Sequence, residues 1–246
     1  MNIRTFIVPI LALSLASPLS AQSSRPGTLL IAEDFGTGEL NRAHWGHPSW
    51  NYEGNWSLVE GALSGVYVQA PGAKHGRPIR ALLRGEKDLR IRFRFKLEKP
   101  LSRIEVLPNG KFPFSPLPHE HIARLRLSLG GIDAGARWET AGGRDLGLIE
   151  DGYTEDARHP KIAPGTKAHE RGGFRFYDRS ASSSTRLRPN AWHLAVLEII
   201  GTTWTAWIDG EKQLALTVHW PDIPMHSVDF LSNGLVYLDD IAVERL

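Results

Sequence analysis

Residues Asp88 to Glu98 read DLRIRFRFKLE. Leu89, Ile91, Phe93, Phe95 and Leu97 alternate with Asp88, Arg90, Arg92, Arg94, Lys96 and Glu98. Successive side chains of a strand point to opposite faces, so this pattern predicts a long strand with one apolar and one charged face. A strand of that kind belongs to an antiparallel sheet that covers a core on one side only.

The same period recurs along the chain. Thr28 to Glu33 predicts a first strand, and Asp34 to Glu39 a turn. Trp56–Val59 and Ala62–Tyr67 flank Glu60-Gly61 as a hairpin. Further strands are expected over Ile79–Leu83, His121–Leu129, Gly173–Tyr177, Ala191–Ile200, Thr202–Ile208, Gln213–Trp220, Ser227–Leu231 and Leu235–Val243. Asp209-Gly210 between two of these is a strong hairpin signal. Lys99 to Pro118, broken by prolines and Asn109-Gly110, predicts a long loop. Ala141 to Gly172 is rich in Gly, His and charge, and predicts a second loop, of a length that more often serves function than not. Roughly a dozen short strands, with no helical stretch beyond the N-terminus, predict an all-β fold: a single-domain, two-sheet antiparallel sandwich or jelly roll.

Met1 to Ala21 reads as a signal peptide. Arg4 supplies the positive end, and Phe6 to Ala16 is an apolar run too short to span a bilayer. Leu19-Ser20-Ala21 offers a cleavage site, which leaves residues 22–246 as the domain. The chain has no cysteine, so the domain is held by its core and not by disulfides. A secreted or periplasmic location is expected. The formal charge is +2, and losing Arg4 with the signal lowers it to +1. That bias is too small to imply nucleic acid or an anionic membrane as partner, and no later apolar run is long enough for a membrane helix. Nothing in the sequence specifies an oligomer.

Four segments carry a resemblance. They are Leu30–Phe35 (LIAEDF) followed by Trp45, Gly54–Leu63 (GNWSLVEGAL), Trp204–Gly210 (WTAWIDG) and Val236–Val243 (VYLDDIAV). With the order of strands over nearly all of the mature chain, they resemble the concanavalin A-like jelly roll. More narrowly, they resemble the 3-keto-disaccharide hydrolase-like domains of secreted bacterial proteins. That resemblance implies a carbohydrate or glycoside ligand, and in several members a sugar whose 3-hydroxyl has been oxidised to a ketone. The ketone acidifies the C2 proton, a base removes it, the glycosidic oxygen leaves C1, and water adds back. Such a site needs a base of moderate pKa, a donor or cation for the enolate oxygen and often a metal ion. The sequence specifies neither the identity nor the ligands of a catalytic divalent metal. A non-catalytic carbohydrate-binding module is the alternative that the same pattern leaves open.

Paired carboxylates of the laminarinase type are not in evidence. No Glu-x-Asp-x-x-Glu run is present, and Glu150-Asp151 and Glu155-Asp156 fall in the predicted second loop. The candidate catalytic residues are therefore His75 or His121 as base, Arg124 as enolate stabiliser and Tyr177 as proton donor or stacking platform. By parity Arg124, Arg126 and Ser128 share one face of their strand, and Leu125, Leu127 and Leu129 the other. Arg126, Arg175, Trp50 and Trp138 are expected to contact a sugar, the tryptophans as platforms. Glu33 and Asp239 mark the first and last strands. The resemblance implies that these strands adjoin and hold a structural calcium, which takes hard oxygen ligands.

Overall fold

The structure is a computed structural model. It describes residues 25–41, 43–45, 56–59, 61–65, 78–110, 120–140, 148–149, 153–154, 167–171, 174–217 and 224–246. For 63–65, 120–121, 136–140, 148–149, 153–154, 167–171 and 174–179 the description is of the backbone alone. The expected signal segment, His75 and Trp50 lie outside the described residues.

The strands in chain order are β1 (Thr28–Glu33), β2 (Trp56–Val59), β3 (Ala62–Gly65), β4 (Ile79–Glu86), β5 (Leu89–Leu97), β6 (Arg103–Gly110), β7 (Glu120–His121), β8 (Arg124–Ser128) and β9 (Gly131–Thr140). They continue with β10 (Leu148–Ile149), β11 (Tyr153–Thr154), β12 (Lys167–Arg171), β13 (Phe174–Ser183), β14 (Trp192–Ile200), β15 (Thr203–Ile208), β16 (Glu211–Thr217), β17 (Met225–Asn233) and β18 (Val236–Arg245). No helix occurs among the described residues. Two eight-stranded antiparallel sheets form the molecule. The first runs β16-β15-β14-β5-β18-β3-β2, with β1 also on β18. The second runs β12-β13-β9-β8-β6-β17-β4, with β7 also on β6. β10 and β11 pair as a separate ribbon.

β5 lies between β14 and β18, and its Leu89, Ile91, Phe93, Phe95 and Leu97 are all fully buried, as the alternation predicts. They meet the inward residues of the second sheet, among them Ile104, Val106, Leu125, Leu127 and Phe230, in one hydrophobic core. An aromatic chain crosses the layers. Phe93 meets Phe95 at 5.9 Å and Phe230 edge-on at 5.3 Å, Phe230 meets Trp45 at 6.3 Å, and Trp45 meets Phe35 at 6.1 Å.

The charged face of β5 is tied to its neighbours. Arg90 Nε donates to Glu198 at 2.7 Å and its Nη1 to Glu244 at 2.8 Å. The Lys96 ammonium lies 4.1 Å from the Tyr237 ring centre, and Trp192 is half-buried beside Lys96 and Arg94. Its position one step out of register with buried His193 puts it on the outer face.

Two loop expectations need correction. Lys99 to Pro118 contains β6, an interior strand of the second sheet. Pro108 is tolerated there because β6 changes partner at that point, from β8 to β7. In an antiparallel strand a residue's N–H and C=O face the same neighbour. The Pro108 carbonyl accepts from Ile122 N–H, in the gap between β7 and β8, so the missing proline N–H faces that gap and breaks no ladder bond. The second expected loop contains the β10–β11 ribbon and β12, and β9 and the extension of β13 to Ser183 add strands that its neighbourhood does not announce.

Candidate functional site

The site is built on the outer face of the second sheet. Inward residues of β4, β6, β8, β9 and β17 enter the core, so their alternates face away from it. Leu125 and Leu127 are buried, and Arg124 and Arg126 stand half-exposed on the other face, as parity predicts.

Two kinds of surface meet there. Toward β4 and β17 the outward residues are buried although they turn from the core. Asp229 is 0% exposed, Asn109 1%, Ser227 2% and Arg80 5%. Arg80 Nε donates to Asp229 Oδ1 at 2.6 Å and its Nη2 to Oδ2 at 2.7 Å, a bidentate pair fixed by the register Asp229↔Arg80. Asn109 Nδ2 donates to Ser227 Oγ at 3.1 Å. Ion pairs of this depth hold geometry rigidly because their alternatives leave a charge without its partner. Buried polar residues in strands otherwise occupied by Val228, Phe230, Ile79 and Ala81 are the signal in the sequence that the reading above did not use.

Toward β8 and β9 the face opens into a half-exposed band of charge. The register Leu231↔Glu105, Glu105↔Arg126, Arg126↔Asp133 sets one row across four strands. Arg126 Nε donates to Glu105 at 3.2 Å and its Nη1 lies 3.6 Å from Asp133. Arg103 approaches Glu105 at 3.4 Å, and Arg124 approaches Asp133 at 3.6 Å. The Nε atoms of Arg103 and Arg124 are buried and have no hydrogen-bond partner among the described residues.

The structure brings three of the expected residues together on adjoining strands. His121 in β7 is the Cα partner of Asn109, which is itself the partner of Ser227. It thus stands beside the buried patch, three positions before Arg124 and five before Arg126. Tyr177, Trp138 and Arg175 lie in another part of the same sheet. Trp138 is the Cα partner of Tyr177 and Arg175 of Thr140. Counting by twos from Ala134 and Ala181, which adjoin the core, positions 138, 177 and 175 fall on the register of the inner face.

Glu33 and Asp239 lie on β1 and β18, which pair with Glu33 opposite Ile241. Glu33 Oε1 accepts from Phe35 N–H at 3.1 Å, and Asp239 Oδ1 accepts from Asp240 N–H at 2.8 Å. Arg94 Nη1 lies 3.7 Å from Asp239 Oδ2. Among the described residues no three of His, Cys, Asp and Glu gather to hold a metal ion, so a calcium there needs backbone carbonyls or water to complete its shell. Burial raises the Asp239 carboxyl above its ordinary value, with the Asp240 and Asp34 charges adding to the rise and the Asp240 N–H and Arg94 opposing it. An acid whose folded pKa is raised binds protons more readily folded than unfolded, so its contribution to stability falls as pH rises through the window above the ordinary value of 3.8. Asp239→Asn removes that charge and keeps an oxygen for the Asp240 N–H. We expect a higher melting temperature than the parent at pH 7, shrinking to no difference toward pH 3, read by thermal melts across pH.

No protein-family model matches the sequence, and no curated protein matches it. Solved structures do. The chain resembles an endo-β-1,4-glucuronan lyase from the fungus Trichoderma reesei, with a TM-score of 0.51 and 14% identity over 89% of this chain and 96% of that one. It resembles SCLam, a non-specific endo-β-1,3(4)-glucanase from family GH16, with a TM-score of 0.53 and 12% identity over 88% and 90%. It also resembles a GlcNAcα1-4Gal-releasing endo-β-galactosidase from Clostridium perfringens, with a TM-score of 0.57 and 10% identity over 93% and 64%. Together with the two antiparallel sheets, these likenesses make the fold a concanavalin A-like jelly-roll sandwich.

Proposed function

We propose that this is an exported carbohydrate-active protein that lays a glycoside across β6, β8 and β9 and acts on 3-keto-glycosides by elimination at C2. The observation that carries the reading is the placement of His121 and Arg124 on successive strands that both pair with β6 beside a buried patch, with an Arg124 Nε that has no partner among the described residues. His121 removes the C2 proton, whose electron pair forms the C2=C3 bond of an enolate with charge on the C3 oxygen; the enolate then restores the ketone, forming C1=C2 as the C1–O bond breaks. The imidazolium returns the proton to the departing oxygen, and water then adds across C1=C2. Arg124 donates to the enolate oxygen at C3, where its fork and permanent charge oppose the developing negative charge. In this account His121 takes over the donor role expected of Tyr177, whose position is on the inner register. The named activities of the three similar structures, all on glycans, agree with the ligand class.

Turnover of 3-keto-disaccharides by the purified protein, with and without chelator, tests this. His121→Gln is expected to lower kcat by about 10²–10⁴, the usual contribution of a positioned acid–base group. Absence of turnover on any keto-glycoside, by protein whose circular dichroism shows intact strands, would remove the enzyme. Added calcium raising the melting temperature of the parent but not of Asp239→Asn would support an ion at Glu33 and Asp239.

One observation favours a second reading. Glu105 and Asp133 are each approached by two arginines, an arrangement suited to holding a ligand rather than moving protons. A binding module predicts that Arg124→Ala weakens glycan retention on an array while no glycan is ever converted.

A further inference from the structure

Among the described residues the charge band on the second sheet is unbalanced. Arg103, Arg124 and Arg126 face Glu105 and Asp133, so three guanidiniums share two carboxylates. Every guanidinium–carboxylate approach lies between 3.2 and 3.6 Å, and only Arg126 Nε to Glu105 is a hydrogen bond. A matched Arg–carboxylate pair is shorter and bidentate, as Arg80–Asp229 shows on the same face. Arg124 is the least engaged of the three. Among the described residues its one approach to a carboxylate is at 3.6 Å and its buried Nε has no partner, while its side chain as a whole is 40% exposed. A planar, half-exposed fork held by no short carboxylate pair is shaped for an incoming carboxylate. A neutral hexose would fill those donors and leave the excess charge in place, whereas a uronate fills both needs.

We propose that this band selects acidic saccharides, with Arg124 taking the carboxylate of a uronic acid residue in a bidentate pair, assisted by Arg126 and Arg103. This rests on the reading of the same face as a glycan-binding site, in which the Arg124 fork is not given to an enolate, and names the chemistry of its ligand. Asp133, between Arg124 and Arg126, tempers the attraction. On the outer face of the first sheet Arg90, by contrast, already holds two carboxylates at 2.7 and 2.8 Å.

The test is calorimetric titration of the full chain with gluco-, galacto- and mannuronate oligomers, each beside its carboxyl-reduced neutral counterpart. At least one acidic oligomer should bind ~10-fold or more tightly than its neutral form, since charged hydrogen bonds are the stronger kind. That preference should weaken with added salt. Arg124→Gln should abolish it, and Asp133→Asn should enlarge it without removing any donor. Arg92→Gln, on the exposed outer face of the first sheet, should leave it intact. Equal binding of acidic and neutral forms, or a preference that survives Arg124→Gln, overturns the inference and leaves the glycan site standing. Binding of neither form in any pair overturns the site as well.

Discussion

Replacing Asp229 by alanine should destabilise the protein by about 3–5 kcal/mol, the usual loss when one partner of a buried ion pair is removed. The carboxylate is fully buried and takes both arms of the Arg80 fork. Without it the guanidinium keeps its burial and loses its bidentate counter-ion. For a domain of this size the loss corresponds to a fall in melting temperature of roughly 6–20 °C. The paired replacement Arg80→Met with Asp229→Leu should recover most of it, because removing both charges also removes the desolvation they suffer. Chemical denaturation of the two single variants and the double variant measures this coupling. If Asp229→Ala shifted the midpoint no more than a surface substitution does, the patch would be open to water and the rigid support given to His121 and Arg124 would be lost with it.

Phe93→Ala should cost about 3–5 kcal/mol, the range for emptying a large aromatic site in a close-packed core. Phe93 sits at the middle of the central strand of the first sheet, and its edge-on contact with Phe230 joins the two layers. Its loss opens a cavity where the layers meet. Phe93→Leu refills much of the volume and should cost less. A cycle with Phe230→Ala should be strongly non-additive, since the two rings touch. Additive losses would mean that the sheets are not in contact at this point.

Much of the layer architecture was legible. The alternation in β5 gave the buried face of one sheet, and that in β8 gave the buried face of the other. Hairpins at Glu60-Gly61 and Asp209-Gly210 were legible from turn chemistry, and Gly61, Asp209 and Gly210 adopt the positive φ such turns require. Even the bulge in β18 is written in spacing. Its buried residues Val236, Leu238, Ile241 and Val243 skip one place at Asp239-Asp240, where Asp240 has φ of 47° and the pairing with β5 slips. β6 was hidden because a proline argues against an interior strand unless the partner strand is interrupted at the same place. That interruption is a property of β7 and β8, not of β6.

The candidate site divides in the same way. Arg124 and Arg126 could be placed on the outer face from their own strand, since parity is local. Arg80 and Asp229 are 149 residues apart, and Asn109 and Ser227 are 118 apart. Nothing local to either partner says that they meet. The inward register of Tyr177 and Trp138 likewise depends on a pairing with β9 that its own residues do not announce.

The sequence by itself determined which side of each strand is oily, because that follows from a period of two and the cost of exposing apolar surface. Which outward residues become buried, which charges find partners and which arginine is left with a free donor were decided only when distant strands came into register. Pairing between strands is set by the whole set of long-range contacts, and a single side chain's charge says nothing of where its neighbour will be.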